Sequence, residues 1–196
     1  MTQAPAPTPG PRESRNSQGG IRRLRVGAVI AIVLAVGLVA WLIFRDDDSS
    51  DNPPQGPVSS AASEDQLRAL PQETGQPVYW AGRRGGYTYE LTRTNDGNVF
   101  IRYLPAGVQP GAQQPDYLTV GTYPRRRALA QLRRLARRQG SVDFGAPNGG
   151  LAVYSRDRPN SVYVAFPGED VQIEVYDPRA QRARSIVREG RVRPIG

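Results

Sequence analysis

The 196 residues contain no histidine, no cysteine and no lysine, so all 26 basic side chains are arginine. Imidazole, thiolate and amine chemistry are thereby excluded. Serine has no His or Lys to act as its base, zinc has no His/Cys set, and no Gly-rich loop ends in Lys-Ser or Lys-Thr to cradle a nucleotide phosphate. Disulfides are excluded with the cysteines. Of the familiar catalytic arrangements a carboxylate pair remains, drawn from Glu90, Asp143, Asp157, Glu169, Asp170, Glu174 and Asp177, and no spacing singles out two of them. The chain therefore reads as non-enzymatic, with no cofactor and no metal. The use of Arg without Lys, alongside abundant Ala, Gly and Pro, fits a GC-rich coding sequence and carries no functional weight.

The formal charge of +8 averages three blocks of different sign. Residues 1–45 hold six Arg against Glu13, leaving +5; residues 46–76 hold seven acids against Arg68, leaving −6. The remaining residues hold 19 Arg and 10 acids, leaving +9. A basic domain follows an acidic tether.

From Val26 to Phe44 the chain runs VGAVIAIVLAVGLVAWLIF without a charge. As a helix rising about 1.5 Å per residue it spans about 28 Å, the thickness of a bilayer core. Trp41 near its end suits the interfacial aromatic belt. A cleaved signal peptide would show a shorter apolar region followed at once by small residues, whereas Arg45-Asp46-Asp47-Asp48 follows here. The segment reads as an uncleaved anchor. Arg12, Arg15, Arg22, Arg23 and Arg25 precede it and Arg45 alone follows closely, which places the N-terminus in the cytoplasm and the rest outside the cell membrane. Gly27, Ala31 and Ala35 form a small-residue stripe through which two such helices can approach, so a homodimer through the span is open.

Residues 1–25 are read as a tail, disordered over the Pro-, Gly- and polar-rich stretch 2–20 that lacks apolar periodicity, and 45–76 as an acidic Pro/Ser-rich tether. Within the tether, SEDQLRAL at Ser63–Leu70 has the pattern of a helical turn or two. From Pro77 onward short alternating runs are separated by Gly, Pro, Asn and Asp, the mark of antiparallel strands. In the hairpin Tyr87–Leu104 a three-residue loop Asn95-Asp96-Gly97, with Gly97 left-handed, pairs Tyr89 with Tyr103 and Leu91 with Ile101. It also sets Glu90 against Arg102 on the other face, where a cross-strand ion pair is worth at most about 1 kcal/mol.

Further strands are expected at Tyr117–Gly121, Val142–Phe144, Leu151–Ser155, Ser161–Phe166 and Asp170–Tyr176. Helices are expected at Pro124–Gln139, with Thr122 near its N-cap, and at Pro178–Glu189. The domain, residues 77–196, is thus an α+β fold: an antiparallel sheet of about 7–8 strands with two helices packed on one face, preceded by one transmembrane helix. The order hairpin, strand, Tyr-Pro, helix at Tyr87–Gln139 returns at Leu151–Glu189, and recurrent supersecondary structure explains it better than duplication.

The strongest functional candidate is the first of these helices. Ala128, Leu129, Leu132, Leu135 and Ala136 share its apolar arc, and Arg126, Arg127, Arg133, Arg134, Arg137 and Arg138 take the opposite side. A solvated helix face ordinarily mixes signs, yet no acid occurs between Asp116 and Asp143. An external polyanion would relieve the repulsion; acids on nearby strands would relieve it internally. A second candidate, VYWAGRRGGYTY at Val78–Tyr89, sets Arg83 and Arg84 among aromatics, where a core role for Trp80 and the tyrosines is the simpler reading. The loop Pro105–Asp116 is long enough to bind something or merely to move. Two partner classes follow: an anionic lipid or wall polymer, or an envelope protein. Nucleic acid suits the charge but not the topology.

Overall fold

The computed structural model describes residues 58–196. The tail, the apolar span with its small-residue stripe, and the start of the tether lie outside the described residues. Among the described residues no helix is long and apolar enough to cross a membrane.

Ten strands and three helices follow one another among these residues: β1 (Val58–Ala62), α1 (Glu64–Thr74), β2 (Tyr79–Trp80), β3 (Tyr87–Arg93), β4 (Val99–Pro105), β5 (Thr119–Pro124), α2 (Ala128–Ala136), β6 (Ser141–Ala146), β7 (Gly150–Ser155), β8 (Arg158–Ala165), β9 (Val171–Tyr176), α3 (Ala180–Arg188) and β10 (Arg193–Pro194). Eight of the strands form one antiparallel sheet in the order β1-β3-β4-β5-β9-β8-β7-β6, and β2 pairs with β10 apart from it. The fold is α+β.

The β3–β4 register follows its side-chain pattern: Tyr89 lies opposite Tyr103, Leu91 opposite Ile101 and Glu90 opposite Arg102. Gly97 closes the turn with φ +76°, a conformation glycine takes without strain, and its N–H donates to Thr94 O at 3.0 Å. A one-residue slip would turn the apolar set to the wrong face, which holds the register in place.

The sheet has two apolar faces because alternate side chains point to opposite sides. On one, Leu91, Ile101, Val120, Val162, Val164, Ile173 and Val175 pack with Leu67 and Leu70 of α1, with Ala183, Ile186 and Val187 of α3, and with β2. On the other, Phe100, Tyr123, Val153, Tyr163 and Ala165 pack with Ala128, Leu132 and Leu135 of α2. The helices therefore do not share one face, as the sequence pattern suggested. The connection explains why. Helix α2 leaves β5 in the middle of the sheet and crosses β9, β8 and β7 to reach the far edge strand β6. It occupies the space above β8, so α3, which also packs on β8, takes the opposite side. The same placement argues against duplication, since a two-fold axis relating antiparallel β5 and β9 would keep both helices on one face.

Helix α1 and β1 fall within the stretch read as tether. Ser63 caps α1 through a capping box with Gln66, and Leu67 and Leu70 are fully buried. Strand β1, VSSAA, has no apolar alternation of its own. It joins the sheet by pairing its backbone with β3, and Ser59 Oγ lies 2.7 Å from Thr92 Oγ1.

Candidate functional site

Helix α2 begins at Ala128, later than its sequence pattern suggested. Thr122 does not cap it, because that residue belongs to β5 and its hydroxyl accepts the Tyr79 N–H at 3.0 Å. Arg126 and Arg127 accordingly lie in the turn before the helix, with Arg127 left-handed at φ +55°. Asp170, just before the neighbouring strand β9, stabilises this turn. Its carbonyl accepts the Arg125 N–H at 2.7 Å and its carboxylate accepts the Arg127 N–H at 2.8 Å. A carboxylate thus sits at the positive end of a helix whose own first turn contains no acid. Nothing in the local sequence points to it, since residue 170 is 43 positions away.

All six arginines singled out above are exposed. Among the described residues the side chains of Arg126, Arg127, Arg133, Arg134 and Arg137 have no carboxylate within ion-pair distance. Arg133 and Arg137, one helical turn apart, border a shallow cleft of about 410 Å³ between α2 and the β6–β7 hairpin. Leu129, Ala136 and Leu151 supply apolar lining, and Asp143 contributes the one acid among its lining residues. The cleft therefore combines cationic side chains with an apolar wall. Arg134 projects from the other flank of α2, by the 100° step of the helix.

Beneath α2 lies a polar group that the sequence pattern does not reveal. Glu174 is buried and accepts a hydrogen bond from Tyr123 Oη at 2.6 Å, with Ser161 and Tyr163 also facing it. Burial pushes its carboxyl pKa up in spite of the hydrogen bond from Tyr123. The same burial, together with the Glu174 charge, pushes the Tyr123 phenol well above its usual range.

Glu90 and Asp177, like Asp170, are committed to structure. Glu90 is buried against Arg102, with Oε1 2.8 Å from Nη1, and Asp177 is buried beside Arg179 and Arg182. Among the described residues no three His, Cys, Asp or Glu side chains gather to hold a metal ion. The 105–116 loop is fastened rather than loose: the Gly111 N–H donates to Glu90 Oε2 at 2.6 Å, and Arg102 Nη2 donates to the carbonyls of Ala112 and Gln114 at 2.9 and 3.0 Å. In the Val78–Tyr89 segment, Tyr79, Trp80 and Tyr89 are buried in the core, as the simpler reading of that segment holds.

Comparison with protein-family models, with curated proteins and with solved structures finds no match to this chain.

Proposed function

We propose that the chain is a single-pass membrane-anchored module without enzymatic activity, whose extracytoplasmic domain binds an anionic envelope component, lipid headgroups or wall polymer, through the arginine side of α2. Residues 26–44 form the anchor in this reading, with the N-terminus in the cytoplasm. The supporting observation is the run of exposed Arg126, Arg127, Arg133, Arg134 and Arg137 with no carboxylate within ion-pair distance among the described residues. Arg133 and Arg137 repel across one turn, and an outside anion relieves this at no cost to the fold. The apolar wall of Leu129 and Leu151 beside them suits an amphiphilic anion better than a bare ion.

The test replaces Arg133, Arg134, Arg137 and Arg138 with Gln, which keeps helix propensity. An arginine at an anionic surface contributes about 1 kcal/mol, so retention on phosphatidylglycerol vesicles should fall by up to about a thousandfold in low salt. An equal-charge control changes exposed Arg93, Arg179, Arg188 and Arg191 to Gln. Equal loss in both variants refutes a defined surface. Protease shaving of intact cells tests the topology: digestion of the N-terminal tail with protection of the domain refutes it.

A second reading, an interaction module for another envelope protein, draws on the opposite face. There Tyr79, Phe166, Val187 and Val192 line a cleft of about 290 Å³ with Glu169 and Arg193 among its polar groups. Salt-resistant retention of a single protein, unchanged by the four α2 replacements, favours this reading.

A further inference from the structure

The loop Gly82–Gly86 between β2 and β3 is held by two tyrosine hydroxyls. Tyr103 Oη accepts the Ala81 N–H at 2.7 Å and donates to the Gly82 carbonyl at 3.2 Å, while Tyr89 Oη accepts the Arg84 N–H at 2.9 Å. With its backbone fixed in this way, Arg84 lays its guanidinium near the rings of Tyr87 and Tyr103, 5.7 and 5.6 Å from their centroids. The rings answer its charge but not its in-plane N–H donors. Adjacent Arg83 has an acid of its own, Glu64 at 2.9 Å. Among the described residues Arg84 has none, and nothing accepts from its guanidinium.

More positive charge gathers at the same corner. Burial and then the charge of Arg182 lower the Arg84 pKa. The nearby carboxylate, Asp177, is already divided: it accepts the Arg179 N–H at 2.9 Å and faces Arg182 Nε at 3.4 Å and Arg179 Nε at 3.9 Å. Arg193 Nη2 lies 3.4 Å from where a Cβ on Gly82 would stand. A Cβ on Gly85 or Gly86 would meet no atom within 4 Å, so the approach to the loop is open.

We infer that this corner is a phosphate-binding site, with Arg84 and Arg193 as the two guanidinium forks on either side of the Tyr103–Gly82 contact. One fork fills the two oxygens of a carboxylate. A phosphate group offers oxygens in several directions and accepts from two forks at once. The tyrosine hydroxyls set the loop before any ligand arrives, so little ordering cost falls on binding. The site shares a face with α3, opposite α2, and stands independently of the function proposed for the α2 surface.

Calorimetric titration of the full chain in non-ionic detergent with inorganic phosphate, at constant ionic strength against chloride, tests the inference. Saturable binding of phosphate and not of chloride is expected. Arg84→Met keeps an apolar stem over the rings and should weaken binding about tenfold or more, the loss of a charge-assisted hydrogen bond. Arg193→Gln, which leaves the ring contacts untouched, should weaken it also and decides the matter if Arg84→Met fails to fold. Arg93→Gln, an equal-charge change at the far end of β3, should bind as the parent does. Absence of saturable binding by the parent overturns the site, as does unchanged affinity in a folded Arg84 or Arg193 variant. Equal loss in the Arg93 variant overturns it as well. Micelles doped with phosphatidylglycerol identify the source: tighter binding there than to soluble glycerol phosphate, with the difference lost in Arg84→Met, assigns a lipid headgroup, and equal binding assigns a soluble or polymer-borne phosphate.

Discussion

Replacement of Glu90 by Gln tests how the sheet is covered on the α2 side. At an exposed cross-strand position the Glu90–Arg102 pair would contribute at most about 1 kcal/mol. In the folded protein the Glu90 side chain is 1% exposed and that of Arg102 12%, at 2.8 Å. Gly111, Ala112 and Gln114 complete their hydrogen bonds, and the Arg102 guanidinium lies 5.3 Å from the Tyr117 ring centroid. Removing one partner leaves the other charge buried without its counter-ion, which costs about 3–5 kcal/mol. With a urea slope of about 2 kcal/mol per molar, the unfolding midpoint of residues 58–196 should fall by about 2 M. Arg102→Met should cost a similar amount. The double variant should lose less than the two singles together, by about 1–3 kcal/mol, because neither charge is stranded. Trp80 fluorescence in equilibrium urea unfolding supplies all four free energies. Single losses below about 1 kcal/mol that add in the double variant refute the argument, for that is how a solvated pair behaves.

Two further outcomes follow from groups beside α2. The raised Glu174 pKa means that the folded state holds this proton more tightly than the unfolded chain, so its contribution to stability is fully present below the ordinary value of 4.5 and is lost as pH rises through the folded-state value. Glu174→Gln keeps an acceptor for Tyr123 and removes that loss: its melting temperature at pH 8 should exceed the parent's, and a lower value refutes the assignment. Asp170→Ala removes both the acceptor for the Arg127 N–H and the negative charge at the start of α2, and should cost about 1 kcal/mol in urea unfolding. A loss that Asp170→Asn restores in part separates the hydrogen bond from the charge.

Local pattern carried the hairpin well. Tyr89, Leu91, Ile101 and Tyr103 face one way with Gly97 at the turn, and only one register satisfies them all. Alternation along β9 likewise separates Val171, Ile173 and Val175 from Gln172 and Glu174, but does not say which helix each set meets. What escaped depends on contacts distant in sequence. Strand β1 is recruited by the open edge of β3, α1 by the core that receives Leu67 and Leu70, and the burial of Glu90 by a loop that returns from residue 111. The side on which each helix packs was equally hidden, since it is set by where β6 and β9 stand in the sheet and not by the helices' own sequences. For the arginines, the sequence showed a one-signed surface, and the fold added the cleft beside Arg133 and Arg137 and the carboxylate of Asp170 beneath the first turn.

Whatever the preceding residues are fixed to, tension along the chain enters this domain at Val58, the first residue of an edge strand. Load applied there opens the Val58–Arg93 pairing first and then works inward one pair at a time, a peeling geometry in which few hydrogen bonds resist together. The peel ends at Ser63, where the capping box and the buried Leu67 and Leu70 present a junction that must yield as a unit. Strand β1 is thereby a short extensible leader: five residues can pay out under pull and re-zip on release while α1 and the other seven strands of the sheet stay intact.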